Sequence, residues 1–238
     1  TLFPYTTLFR SASLQLRVAD EAERFTVSVD GVDVWFTVTG EGQVAVGRGN
    51  EALATRYAID PEYTGMLAIP TTVSHDGVDY EVVEIQDYAF SSSTIAATSL
   101  VVAEGDKALT QCALTGVTVP AGVTAIGAYA FYNCSALAKL ELAADGKLVT
   151  IGVNAFARCR ALSSLSVPAS VEVIADQAFS YCNGLQEVTF AEGSHMAELG
   201  ASAFACSKAN PGKLKSFEFP AVRTISASVL TWQAELTD

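Results

Sequence analysis

Residues 151–168 read Ile-Gly-Val-Asn-Ala-Phe-Ala-Arg-Cys-Arg-Ala-Leu-Ser-Ser-Leu-Ser-Val-Pro, and variants of this stretch recur along most of the chain. In every clear copy an isoleucine or leucine is followed five residues later by phenylalanine, or by leucine in the last copy. When Leu109 is counted as a further copy, these phenylalanine or leucine positions are separated by 19, 22, 25, 23, 25 and 26 residues from one copy to the next. A period of this length predicts a protein built from stacked coils.

Each copy predicts two short strands and a helical turn. In the copy quoted above, Leu165 and Val167 flank Ser166, which places the two apolar residues on one face of a strand. Pro168 ends this strand because proline cannot donate to a ladder. A second strand is expected where residues such as Ile174 lead into the next copy. Between the strands, Ala-Phe-x-x-Cys-x-x-Leu has the three- and four-residue spacing of a helical turn.

The core is predicted to run continuously through the stack. One coil cannot bury its apolar side alone, so successive coils must pack on each other, with the phenylalanines forming a column. Leu109, followed three residues later by Cys112, is interpreted as a coil between the first two clear copies. The predicted core residues are Phe90, Leu109, Phe131, Phe156, Phe179, Phe204, Leu230, Cys112, Cys134, Cys159 and Cys182.

The motif Ile-Gly-x-x-Ala-Phe-x-x-Cys-x-x-Leu-x-x-Leu-x-Val-Pro resembles the BspA-like leucine-rich repeat of bacterial surface proteins. The resemblance covers about residues 63–230 and implies a β-rich leucine-rich repeat solenoid over 63–238, truncated at the C-terminus. The chain departs from the pattern at Ser93, which replaces a cysteine, and at residues 207–213, which add a loop. The resemblance also implies an extracellular or cell-surface protein that adheres to host or microbial macromolecules.

The N-terminal quarter of the chain lies before the repeats. Residues 1–11 resemble the in-frame translation of a sequencing adapter, so we interpret them as a non-native leader without a role in the fold. Residues 12–62 are predicted to form a β cap over the otherwise open end of the solenoid. Apolar and polar residues alternate on both sides of Asp30-Gly31, which predicts a β-hairpin there.

The overall charge narrows the classes of partner. The formal net charge of −12 would repel a phosphate backbone, so we expect no nucleic acid partner. Residues 108–138 contain no charged side chain, but three glycines, a proline and several threonines interrupt them. We therefore expect no membrane span in this sequence.

No catalytic, metal or cofactor site is predicted. The five cysteines occur one per copy, without a Cys-x-x-Cys pair, and the two histidines, His75 and His195, lie far apart in the sequence. We interpret the cysteines as buried thiols, with disulfides between adjacent coils as the alternative. The chain contains no Gly-x-Ser-x-Gly motif and no phosphate-binding loop.

The outward positions of the predicted strands suggest a function. Solenoids bind partners across extended surfaces, so we expect a monomeric module whose polar strand face binds a protein or glycan. The alternative is a structural spacer that displays a neighbouring domain, and an enzyme ranks third. Tyr88, Tyr129, Tyr132 and Tyr181 are further interface residues expected at an edge or on the opposite surface. The predicted partner face consists of Thr118, Lys139, Glu141, Ser164, Ser166, Glu187, Thr189, Ser216 and Glu218.

Overall fold

The computed structural model describes residues 23–49, 57–60, 62–91, 112–218 and 220–236. The predicted leader at residues 1–11, Ser93 and Leu109 lie outside these ranges. The described backbone forms sixteen strands joined by turns, without a helix. The strands are β1 (Arg24–Val29), β2 (Val32–Gly40), β3 (Gln43–Val46), β4 (Gly65–Ala68), β5 (Thr72–His75), β6 (Val78–Ile85), β7 (Leu114–Val119), β8 (Ala125–Ile126), β9 (Lys139–Leu142), β10 (Thr150–Ile151), β11 (Ser164–Val167), β12 (Val173–Ile174), β13 (Glu187–Phe190), β14 (His195–Leu199), β15 (Ser216–Phe217) and β16 (Ala221–Ile225).

The strands form the two sides of a solenoid. One long sheet has the order β1-β2-β3-β6-β8-β10-β12-β14-β16, with β5 also paired to β6. From β3 along this path the pairs are parallel, and the equivalent apolar residues of successive copies lie opposite each other, beginning with Ile85, Ile126 and Ile151. The three-stranded sheets β4-β7-β9 and β11-β13-β15 form the other side. This arrangement confirms a β-rich repeat fold with parallel strands.

The phenylalanines form the predicted column inside the solenoid. The ring centroids of Phe90 and Phe131 are 4.7 Å apart, and the next three steps measure 4.9, 5.1 and 5.3 Å, ending at Phe204. The planes of neighbouring rings differ by at most 10°. All five rings are buried, whereas Leu230 at the C-terminal end is half-buried. Each ring therefore covers the faces of its neighbours.

The predicted helical turn is wrong. In the coil around Phe156, the N–H groups of Ala155 and Ala157 close tight turns onto the carbonyl three residues earlier, at 3.1 Å. The N–H groups of Asn154, Phe156 and Arg158 instead donate to carbonyls of the next coil, at 2.8–3.1 Å. Asn154 and Arg158 are left-handed, with φ of 54° and 66°. Because alternate N–H groups donate to carbonyls of the neighbouring coil, they cannot donate to the carbonyl four residues earlier, the hydrogen bond that defines an α-helix.

The separate coil predicted at Leu109 and Cys112 is also wrong. Phe90 stacks directly on Phe131, and β6 pairs directly with β8, which leaves no position for a coil between them. Cys112 is buried beside Cys134 and leads into β7, so it is the cysteine of the coil that begins with β6 and Phe90. Leu109 itself lies outside the described residues.

The predicted N-terminal hairpin is confirmed. β1 and β2 pair antiparallel, and the turn residues Asp30 and Gly31 have φ of 52° and 81°, the left-handed values that a two-residue hairpin needs. β3 then pairs parallel with β6, so that Val44 lies opposite Val82 and the N-terminal strands extend the long sheet. Phe25 and Phe36 are buried at this end of the core.

Candidate partner-binding face

Eight of the nine residues predicted for the partner face lie on the two three-stranded sheets, and Glu218 follows β15 directly. Parallel pairing brings them side by side: Thr118 lies opposite Glu141 on β7 and β9. On the other sheet, Glu187 lies between Ser164 and Ser216. Their side chains point outward because they alternate with buried neighbours such as Leu165 and Val188. Thr118 and Glu141 are half-buried and the remaining seven are exposed.

The predicted single row of outward residues is divided into two patches. β9 and β11 lie next to each other, but no ladder joins them among the described residues, and the sheets β4-β7-β9 and β11-β13-β15 are separate. Thr118, Lys139 and Glu141 form the first patch. The second patch consists of Ser164, Ser166, Glu187, Thr189, Ser216 and Glu218.

The first patch satisfies its own polar groups. Lys139 Nζ lies 2.7 Å from Glu141 Oε1, and Thr118 Oγ1 donates to Glu141 Oε2 at 2.7 Å. The hydrogen bond from Lys139, followed by that from Thr118, lowers the pKa of the Glu141 carboxyl. A partner that binds Glu141 would have to compete with both bonds.

The second patch has free carboxylates and a groove. Glu187 and Glu218 form no ion pair with any other residue that the structure describes. Both line an open groove of about 570 Å³ beside β13 and β15. The other groove residues include Thr189 and Ser216 from the predicted face, with Phe190 and Pro220 on the apolar side. The groove therefore offers carboxylates, hydroxyls and apolar surface at one place.

One groove residue had no signal in the sequence. Ser194 also lines the groove, is only 7% exposed, and its Oγ has no hydrogen-bond partner among the described residues. It follows Gly193 in a turn between β13 and β14, where the sequence indicates only a loop. Its position depends on how β13 and β14 are joined, which residue spacing does not determine.

The repeats are similar to those of a known family. The model of the BspA type leucine-rich repeat region matches in six copies, over residues 77–140 and 102–237. The chain belongs to the BspA-type leucine-rich repeat family. Families of this description are repeat proteins and not enzyme families. No similarity to a curated protein was found.

Several solved structures are similar to this BspA-type chain. A leucine-rich repeat protein from Bacteroides capillosus is 29% identical, with 70% of this chain and 98% of that chain covered and a TM-score of 0.49. The pneumococcal vaccine antigen PcpA is 16% identical, with 86% and 50% covered and a TM-score of 0.50. A leucine-rich cell surface protein from Faecalibacterium prausnitzii is 21% identical, with 88% and 55% covered and a TM-score of 0.43. The likeness to PcpA concerns the fold alone, and this chain spans about half of the length of PcpA.

The cysteines of these BspA-type coils act as internal hydrogen-bond donors. The Sγ atoms of Cys134, Cys159 and Cys182 lie 3.1–3.3 Å from the carbonyl oxygen of a phenylalanine in the preceding coil. All five cysteines are buried free thiols. Burial raises the pKa of these three thiols well above the ordinary value. A thiol held neutral in this way is a poor nucleophile and a poor metal ligand.

Thiol labelling tests the state of the cysteines. Without reductant, we expect a maleimide to label none of the five cysteines in the folded chain and all five after denaturation, because burial blocks access and no disulfide joins them. The measurement is the mass of the labelled chain. Two or four cysteines that stay unlabelled in the denatured chain would show one or two disulfides between coils, and rapid labelling of the folded chain would contradict the burial of the thiols.

The described residues contain neither a group of metal ligands nor a membrane-spanning helix. Across residues 23–49, 57–60, 62–91, 112–218 and 220–236, no three His, Cys, Asp or Glu side chains are grouped so as to hold a metal ion. The ring of His75 stacks on Phe25, with centroids 4.0 Å apart, and its Nε2 atom lies 3.7 Å from Asp76 Oδ2. The same ranges contain no helix long and apolar enough to cross a membrane.

The tyrosines lie on the turn edge, which we define as the row of Ala-Phe-x-x-Cys turns. Tyr88 stacks on Tyr129 with centroids 5.0 Å apart, and Tyr132 is tilted against Tyr129. Arg158 lies between Tyr132 and Tyr181, with its guanidinium carbon 5.8 and 5.5 Å from the two ring centroids. Tyr132 is buried, so it is not the interface residue expected from the sequence. Tyr181 is exposed, and the other two tyrosines and Arg158 are half-buried. The turn edge of this BspA-type chain therefore presents aromatic and cationic side chains on a surface separate from the strand face.

Proposed function

We propose that this chain is a cell-surface or secreted binding module, which recognises a protein or glycan partner through the second patch on β11, β13 and β15 and catalyses no reaction. One observation carries the proposal: four residues of the predicted face, Glu187, Thr189, Ser216 and Glu218, line a common groove. Concave surfaces that combine apolar area with a few polar groups are typical binding sites.

The chemistry of the groove supports this proposal. The Glu187 and Glu218 carboxylates are not paired with described cations, so a partner's ammonium, guanidinium or hydroxyl groups can bond to them without displacing an internal partner. The parallel coils place these groups on a rigid frame, which reduces the entropy lost on binding. Membership of the BspA-type family supports adhesion at the cell surface as the setting.

A charge-reversal variant tests the second patch. We expect Ser166→Lys, Glu187→Lys and Glu218→Lys together to reduce adhesion at least about tenfold. The two glutamate replacements reverse the charge of the groove, and Ser166→Lys adds positive charge opposite Thr189. Adhesion is measured on extracellular-matrix proteins, mucin glycans and other bacterial cells, after checking that the thermal transition is intact.

A matched variant beside or on the long sheet is the control. Thr124, Glu172 and Glu198 are also exposed, so replacing all three with lysine changes the formal charge equally at another surface. Adhesion should persist in this control. Equal adhesion by the groove variant and the parent chain would exclude the second patch as the binding site. If the parent chain adheres to nothing, the chain is a spacer that displays a neighbouring domain.

A further inference from the structure

One coil of the solenoid carries an insertion that is tied down on both sides. Residues 207–213 follow the coil of Phe204 and come beside Tyr181 and Asn183 at the turn edge. The side-chain amide of Asn183, in the preceding coil, donates to the carbonyls of Asn210 and Pro211, the latter at 3.3 Å. On the other side, Gly212 N–H donates to Trp232 O at 2.9 Å. These hydrogen bonds hold the loop in place against the coils on both sides.

The tied loop borders an open groove of about 480 Å³ on the turn edge. Arg160 and Lys213 line it, are exposed, and form no ion pair with any described residue. Glu235 is the carboxylate in the lining. In a chain with a formal net charge of −12, two unpaired cations in one groove are a local reversal of the overall charge. A small anionic group is the ligand that this arrangement favours.

Aromatic and polar side chains surround the cations. Tyr181 lines the groove, is 38% exposed, and is also part of an adjoining groove of about 250 Å³. The adjoining groove contains Trp232, which is 50% exposed, with the hydroxyls of Ser202, Ser228 and Thr231. The negative face of an aromatic ring attracts the C–H groups on the flat side of a sugar, and hydroxyl and amide groups bond to sugar hydroxyls.

We propose that the turn edge binds a sugar that carries a single carboxylate or sulfate. Arg160 and Lys213 would bond to the anionic group, while the sugar ring packs on Tyr181 and reaches the hydroxyl groups beside Trp232. A long polyanion fits less well, because the negative charge of the rest of the chain would repel it outside the groove. The site lies apart from the second patch, so the test of this proposal has an outcome independent of the test of the proposed function.

Calorimetric titration with three small sugars tests the site. The probes are 3′-sialyllactose, which carries a carboxylate, 3′-sulfolactose, which carries a sulfate, and neutral lactose. We expect one or both anionic sugars to bind at least about tenfold more tightly than lactose, since the cations contribute only to the charged probes. Comparison of the two anionic probes identifies which acid the groove takes.

Three variants separate this site from a general attraction of anions. Arg160→Ala with Lys213→Ala should weaken the anionic sugar at least about tenfold, whereas Arg223→Ala with Lys147→Ala removes the same charge elsewhere and should not. Tyr181→Asn removes the ring but keeps a residue that tolerates the left-handed φ of 58° at this position, and it should also weaken the sugar.

Several results would overturn the proposal. No binding of either anionic sugar at about 10 mM, a concentration that would detect even weak sites, would exclude the groove as a sugar site. Equal affinity for lactose would exclude the role of Arg160 and Lys213. Tri-glutamate that binds as tightly as the sugar, without dependence on Tyr181, would show an attraction for anions in general.

Discussion

Phe156→Ala is expected to lower the free energy of unfolding by about 3–5 kcal/mol, as deletion of a large buried side chain does. Phe156 is fully buried and is stacked on both faces, with centroids 4.9 Å from Phe131 and 5.1 Å from Phe179. The loss includes the transfer of the ring and a cavity that rigid neighbouring coils cannot fill. Urea denaturation measures it.

Variants near the ends of the column are the controls. Phe90→Ala removes the same ring, but Phe90 stacks on one phenylalanine of the column, so the loss should be smaller. Leu230→Ala should cost less still, because Leu230 is half-buried and belongs to the last coil. Equal losses at all three positions would contradict a one-dimensional stack and indicate a globular core.

Stability is expected to fall steeply above about pH 8.5, the ordinary pKa of a cysteine in an unfolded chain. Burial raises the pKa of Cys159 and Cys182 in the folded chain, so above this pH the unfolded chain loses protons that the folded chain keeps. The folded state then binds more protons, and stability decreases as pH rises towards the folded pKa. Each thiol contributes roughly 1.4 kcal/mol per pH unit, or about 3 kcal/mol for the two.

Serine at the same two positions isolates this effect. A serine hydroxyl can donate to the same phenylalanine carbonyls as the thiols do, but it does not titrate in this range. Cys159→Ser with Cys182→Ser should therefore flatten the dependence of the unfolding free energy on pH above 8.5, by up to about 3 kcal/mol per unit where the unfolded thiols are fully ionised. Urea titrations at each pH measure it. An unchanged slope would show that other groups cause the alkaline loss.

Cys112 and Cys134 are left unchanged in this variant for a physical reason. The hydrogen bond with Cys134 lowers the pKa of the Cys112 thiol. Ionisation of Cys112 therefore changes stability in the opposite direction to ionisation of Cys159 and Cys182. Burial, followed by the same hydrogen bond, raises the pKa of Cys134. The two thiols titrate as a pair, so a change at one alters the other.

The repeat spacing was sufficient to predict most of the solenoid. Phe131, Phe156 and Phe179 occur at the same place in each copy, and identical coils that stack must bring identical positions together. Alternation around Ser166 predicted which side chains of β11 face outward. The hairpin at Asp30-Gly31 followed from local turn chemistry. Membership of the BspA-type family was also readable from these residues.

Tertiary structure decided what spacing could not. The Ala-Phe-x-x-Cys turns have the spacing of a helix, but the next coil takes their N–H groups. Leu109 has the spacing of a repeat, but Phe90 already stacks on Phe131. The grooves at Glu187 and at Arg160 arise where coils differ, at β15 and at residues 207–213. A one-dimensional period determines which coils stack, whereas contacts between unlike coils exist only once the stack has formed.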